Sequence, residues 1–258
     1  MKICVCGKGG SGKSTIVTLL AQAFQKKDKK VIVLDSDESN TSLYWMLGLK
    51  NPPMPLMNMV GGKKAVQKKM IAKFSSGEKE PDMNIWQMDE ITSNKIPSDF
   101  FVQKENCILI STGKINQSLE GCACPMGTIT REFLKKLILA ENEIAIIDME
   151  AGIEHFGRGI EKYVDFVVCV IEPSYESISL TKKIMELTVA AGAYFKGAIL
   201  NKIASDQQQK SVLAKTQQIN IPVIGIISFI PEIQTASLEQ TLPEYDLSDV
   251  IEKIIKEI

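Results

Sequence analysis

Histidine is nearly missing: His155 is the single one among 258 residues, which excludes a metal centre built on imidazoles. Long apolar runs are missing too. The most continuous, Phe166 to Ile171, falls far short of the ~20 residues a bilayer helix needs. The N-terminus reads as a strand and not as a secretion leader. Neither sign of charge is in excess, since 30 basic against 31 acidic residues leave a net −1. No global field therefore draws the chain to nucleic acid or to an anionic membrane, and neither is expected as a partner. There is no internal repeat and no low-complexity tract. A cytoplasmic protein is expected, in which the six cysteines are reduced thiols and any close pair of them becomes a metal or redox candidate.

What is present is an alternation of two signals. Short β-branched runs occur at Ile3 to Cys6, Val31 to Leu34, Cys107 to Ser111, Ile144 to Ile147, Phe166 to Ile171, Ala198 to Leu200 and Pro222 to Ile227, and they read as buried parallel strands. Between them lie helical stripes such as Ile16, Leu19, Leu20, Ala23, Phe24 and Phe133, Leu134, Leu137, Ile138. Such a pattern specifies an α/β fold with a doubly wound, mostly parallel sheet and helices on both faces. Residues 1–258 are read as one domain with an insertion at about 49–99, where Pro52, Pro53, Pro55, Gly61, Gly62 and Gly77 break the alternation and Lys63, Lys64, Lys68 and Lys69 cluster. A strand is expected there near Ile85 to Met88. The stripe Val250, Ile251, Ile254, Ile255 and Ile258 is expected to pack on the core, because its opposite face balances to zero charge.

The run Gly7-Lys8-Gly9-Gly10-Ser11-Gly12-Lys13-Ser14 follows a strand and precedes an amphipathic helix, which is where a phosphate-binding loop must stand. Gly9, Gly10, Ser11, Gly12 and Thr15 would supply backbone N–H groups at a helix N-terminus. Lys13 would reach the outer phosphates, and the Ser14 hydroxyl would bind Mg²⁺. ATP with Mg²⁺ is the expected ligand. Asp35 and Asp37 follow the strand ending at Leu34, and Asp148 ends the run Ile144 to Ile147; both stations lie at the carboxyl edge where open α/β sheets bind ligands. Asp148 is the Mg²⁺ carboxylate.

Lys8 directly after Gly7 is a less common choice, and with it the loop resembles the deviant Walker A family of the nitrogenase iron protein and the MinD and ParA ATPases. The resemblance implies ATP hydrolysis and a nucleotide-sandwiched homodimer in which Lys8 acts across the interface. It also implies that Asp37 orients the attacking water, that Asp35 supports the metal and that Gly152 lies in the second switch. Asn201 with Lys202 matches the family's base-reading position, and Pro231 with Glu232 its second base-side segment. Many members carry proline after the second aspartate; this chain has Glu38.

Gly121-Cys122-Ala123-Cys124-Pro125 precedes a helical pattern from about Thr128 through Leu139. A helix N-terminus favours thiolate, the form that binds metal. One chain offers only two such sulfurs, whereas a Zn²⁺-like ion wants four ligands, so two chains on a twofold axis would complete the set, one ion per dimer. A redox dithiol is the alternative, although Cys-x-x-Cys is its usual spacing. Cys4, Cys6, Cys107 and Cys169 read as small buried hydrophobes.

With Asp148-Met149-Glu150-Ala151-Gly152-Ile153-Glu154-His155-Phe156-Gly157-Arg158-Gly159, the chain resembles the nickel-insertion ATPases (CooC type) that mature carbon monoxide dehydrogenase and acetyl-CoA synthase. That resemblance implies Ni²⁺ or Zn²⁺ on Cys122 and Cys124 at a dimer interface, and one of those two enzymes as client. Glu150, Gly152, Glu154, His155 and Arg158 would couple nucleotide to metal. A MinD- or ParA-type positioning ATPase with incidental cysteines, and an iron–sulfur reductase, stand as the other readings.

Overall fold

The computed structural model describes residues 1–74, 85–114, 124–153, 156–242 and 247–258. Cys122, Glu154 and His155, singled out from the sequence, lie outside these described residues.

The chain runs β1 (Lys2–Gly7), α1 (Lys13–Gln25), β2 (Lys30–Asp35), α2 (Leu43–Met46), α3 (Leu56–Met59), α4 (Gly62–Phe74), β3 (Val102–Lys104), β4 (Cys107–Ser111), α5 (Cys124–Lys136) and β5 (Glu143–Asp148). It continues through β6 (Phe166–Ile171), α6 (Tyr175–Ala190), β7 (Phe195–Ile203), α7 (Asp206–Gln218), β8 (Val223–Ser228), α8 (Pro231–Glu239) and α9 (Ser248–Glu257). Eight strands form one sheet in the order β3-β4-β2-β5-β1-β6-β7-β8. Every pairing is parallel except β3 with β4.

Alternation along each strand divides the core. Cys4, Cys6, Ile32, Leu34, Ile108, Ile110, Ile147 and Cys169 face a cluster built with α3, α4 and α5. Ile3, Val5, Val31, Val33, Leu109, Ile146 and Val170 face α1 and α9. Both faces are covered, as a parallel sheet requires. The four strand cysteines are buried. Burial pushes the Cys107 thiol up to about 12 and raises that of Cys169, so these sulfurs are packing groups. The C-terminal stripe becomes α9, with Ile251 and Ile254 fully packed. Among the described residues, no helix is long and apolar enough to cross a membrane.

Three expectations shift. Ile85 to Met88 is no strand. Ile85 and Trp86 are core residues on irregular backbone, Trp86 meets Phe133 edge-on at 5.8 Å, and Lys136 Nζ donates to the carbonyls of Trp86 and Met88 at 3.1 and 2.9 Å. A side chain thus satisfies the backbone that a ladder would have satisfied. The sheet edge belongs instead to β3, too short and too polar to register as a strand; Lys104 on it blunts the edge. The helix expected from Thr128 begins one turn earlier, at Cys124, with Pro125 in its first turn, where a missing N–H costs nothing. It stops at Lys136, because Leu137 and Ile138 turn to pair with Ile91.

Candidate functional site

The phosphate loop is fixed by what its glycines permit. Gly7 has φ 142°, and a Cβ there would sit 2.5 Å from the Val170 carbonyl oxygen. Gly12, at φ 95°, would drive a Cβ into the Asn201 amide. Neither position accepts a side chain without strain. Ser11 N–H closes the turn on Lys8 O at 3.1 Å. From the far side, Asn201 Nδ2 donates to Ser11 O at 2.8 Å and Lys202 Nζ to Gly10 O at 2.6 Å. Lys202 itself holds a left-handed backbone, φ 61°. Asn201 and Lys202 therefore brace the loop as well as bordering the cavity beside it. Lys13 is buried at the head of α1.

Strand register brings the acids to this loop. Asp35 of β2 stands opposite Asp148 of β5, and Val5 of β1 opposite Asp148, so both carboxylates end their strands at the level where β1 turns into the loop. Ser14 Oγ donates to Asp148 Oδ2 at 2.6 Å, while Asp148 Oδ1 is buried and has no hydrogen-bond partner. Burial pushes Asp148 up to about 7 and Asp35 up to about 6, the latter against the pull of Lys114. Lys114 Nζ meets Asp35 Oδ2 at 2.6 Å and also reaches the Asp37 carbonyl. A buried carboxylate with one orphaned oxygen beside a hydroxyl fits a hard cation that takes its remaining ligands from phosphate and water, as Mg²⁺ does. Bound there, Mg²⁺ would neutralise charge on the outer phosphates. Among the described residues, no three His, Cys, Asp or Glu side chains converge as a self-sufficient metal site.

The segment after β2 carries Asp37, the position that the resemblance assigns to a switch. Asp37 Oδ1 accepts from Ser39 N at 2.9 Å, Ser39 Oγ at 2.6 Å and Asn40 N at 3.2 Å, a self-capped turn that Asp residues favour. Asn40 Nδ2 then donates to Ser14 Oγ at 2.6 Å, tying the switch to the loop. Glu38 turns inward. It is buried and shares a hydrogen bond with Glu150; burial and this neighbour push Glu150 up to about 7, with Arg158 opposing. The segments after β2 and β5 thus meet carboxyl to carboxyl. Gly152, at φ 102°, turns the chain just beyond. Lys8 leans away from the loop to Glu172 Oε1, 2.8 Å off, on a partly exposed surface.

Arg158 joins the segment after β5 to α5. Its side chain lies across Gly127 of α5, where a Cβ would meet Arg158 Cδ and Nη1, and Arg131 Nη1 reaches the Arg158 carbonyl at 3.4 Å. Gly127 is within the first turn that Cys124 opens. Cys124 is half-buried, and its carbonyl accepts from Thr128 Oγ1 at 3.0 Å.

A cavity of about 350 Å³ opens beside Gly12 and Thr15, bordered by Asn201, Lys202, Phe229, Ile230 and Gln234. Pro231 and Glu232 face a separate shallow groove. Because α8 begins at Pro231, its helical spacing turns Ile233 and Gln234 to the cavity in their stead. Lys114, Asn40 and Glu172 were not singled out from sequence. A lysine three residues past the end of β4, on the edge that carries three acids, is a signal that could have flagged the first; nothing local marks the other two.

A loop of backbone donors between strand and helix, facing a hydroxyl and a buried carboxylate, defines a P-loop nucleotide-binding protein of the α/β class. The profile of the CobQ/CobB/MinD/ParA nucleotide binding domain matches residues 3–243, and the chain belongs to that family. It is 42% identical over 261 residues to an uncharacterized ATP-binding protein of Methanocaldococcus jannaschii, spanning 99% of this chain and 100% of the other. It is 33% identical over 252 residues to the carbon monoxide dehydrogenase accessory protein CooC of Rhodospirillum rubrum, covering 96% of this chain and 90% of that one. Among solved structures, the septum site-determining protein MinD of Pyrococcus horikoshii, complexed with Mg-ADP, superposes with a TM-score of 0.70 over 99% of this chain and 94% of its own, at 18% identity. That likeness is one of fold.

Proposed function

We propose that this chain is an ATP-hydrolysing metallochaperone that carries Ni²⁺ or Zn²⁺ on Cys122 and Cys124 across a homodimer interface and supports nickel insertion into carbon monoxide dehydrogenase or acetyl-CoA synthase. The observation that carries this reading is Arg158 laid across Gly127. It gives the segment after Asp148, which must respond to the outer phosphate, a direct hold on the helix that begins at Cys124. The likeness to CooC points the same way.

In this reading Lys13, Thr15 and the loop N–H groups of Gly9 to Gly12 cradle the phosphates, and Ser14 with Asp148 and Asp35 holds Mg²⁺. Asp37 orients the attacking water. Lys8 leaves Glu172 to stabilise charge on the nucleotide of the second copy, a device worth about 10³ to 10⁵ in rate in other enzymes. Each protomer contributes two thiolates, so the ion is four-coordinate only in the dimer. ATP and metal both favour that dimer, because a ligand shifts an equilibrium only by its differential affinity.

Light scattering tests it. The Cys122→Ala, Cys124→Ala double variant should keep ATP binding but lose dimerisation driven by Ni²⁺ or Zn²⁺, and a chelator should have the same effect on the unsubstituted chain. Metal-driven dimerisation that survives both treatments would overturn the thiolate site.

A further inference from the structure

We infer that Trp45 is a wall of the nucleoside site, stacking against the base or ribose of the bound nucleotide; this rests on the nucleotide reading of the phosphate loop. The cavity that Gly12 and Asn201 border is also lined by Trp45 and Met46. Both belong to α2, far in sequence from Asn201 and Ser228 to Ile230, which share the lining. An indole facing a cavity beside a phosphate cradle offers a π surface to any purine whose phosphates are held there.

The backbone that carries Trp45 is tied down. Asp37 caps Ser39 and Asn40, and Asn40 Oδ1 in turn accepts from Ser42 N at 2.9 Å and Ser42 Oγ at 2.6 Å. The Ser42 carbonyl accepts from Met46 N at 3.2 Å. Leu43, fully buried in the core beneath, anchors the short helix. Trp45 therefore borders the cavity from an ordered backbone, so the segment that carries it need not be ordered on binding. A further observation favours a planar aromatic ligand: Phe229, Ile230 and Ile233 line the cavity as well, interspersed with amides such as Gln22, Asn201 and Gln234, which gives apolar surface with hydrogen-bonding groups at hand. Such a lining suits a heteroaromatic ring better than a sugar chain or a peptide.

The two tryptophans of the chain separate cleanly. Trp86 is buried against Phe133 on the other face of the sheet, so a Trp86→Phe chain reports Trp45 alone. ADP should shift its emission, whereas tripolyphosphate, which fills the loop without a base, should leave it nearly unchanged. By calorimetry, Trp45→Ala should weaken ADP about tenfold and Trp45→Phe no more than about threefold, with tripolyphosphate affinity unchanged in both. ADP binding to Trp45→Ala as tightly as to the unsubstituted chain, or an equal loss of tripolyphosphate, would overturn the inference while leaving the loop's role standing. An unsubstituted chain that binds tripolyphosphate but no ADP would also sink it. Failure of the unsubstituted chain to bind either would remove the nucleotide reading itself, and this inference with it.

Discussion

The phosphate end and the cysteine end of this molecule are built by different means. At the phosphate end, position is dictated by backbone: left-handed glycines, the parallel register that sets Asp35 beside Asp148, and a helix start at Lys13. At the cysteine end, position is dictated by side chains laid over one another, Arg158 on Gly127 and Arg131 on the Arg158 carbonyl. Backbone-built sites are rigid, whereas side-chain contacts have alternative rotamers within reach. The difference suits a division of labour in which one end holds a nucleotide in a fixed place and the other changes when the switch between them moves.

Asp148→Asn probes the rigid end and should produce the largest effect. If Asp148 holds Mg²⁺ as proposed, ATP hydrolysis should fall at least about a hundredfold, measured as phosphate release. Stability should move the opposite way. Burial raises Asp148 to about 7 from 3.8, so between those values the folded chain holds a proton that the unfolded chain has released. The contribution is fully present below pH 4 and is lost as pH rises through about 7. Without nucleotide, the amide variant should therefore melt higher than the unsubstituted chain at pH 8 and no higher at pH 4. Equal melting temperatures at pH 8 would mean that the carboxylate is not held in a water-poor site.

Gly127→Ala probes the other end. The added methyl must displace the Arg158 side chain, a change of about 1 kcal/mol in stability where a flexible group yields. ATP affinity should stay within about twofold, because nothing at the loop moves. What should change is the link: ATP should no longer alter the metal dependence of dimerisation seen by light scattering. Intact coupling in this variant would show that the two ends communicate by another route.

The phosphate end was legible in sequence because its rules are local. Glycines, Lys13, Ser14 and the strand-terminal aspartates each stand at a spacing that backbone geometry demands. The doubly wound sheet was legible for the same reason, since seven apolar runs alternate with amphipathic stripes. What could not be read were pairings between distant segments. Nothing near Glu38 announces Glu150, and for Lys114, 79 positions from Asp35, the shared sheet edge is the one hint. Trp86 appeared to belong to a strand because its neighbours are apolar, but its backbone is satisfied by Lys136, 50 residues away. Pro231 and Glu232 were expected at the base from the resemblance to the family's second base-side segment; which residues of α8 line the cavity follows from where that helix starts.

The smallest expected effect lies at Lys8, whose surface pair with Glu172 tests whether the rigid end also moves. Surface ion pairs contribute little to stability, so Glu172→Gln should leave the melting temperature unchanged. If Lys8 must leave Glu172 to serve a second copy of the chain, removing the acid frees it in advance. ATP-driven dimerisation should then need less nucleotide, and the steady-state ATPase rate should hold or rise. A large loss of ATPase activity in this variant, with ATP binding intact, would show instead that Glu172 orients Lys8 for its task, making the pair part of the site and not a resting place. The same variant carrying Lys8→Ala should then be no worse than Lys8→Ala alone, because a positioning residue has nothing left to position once its lysine is gone.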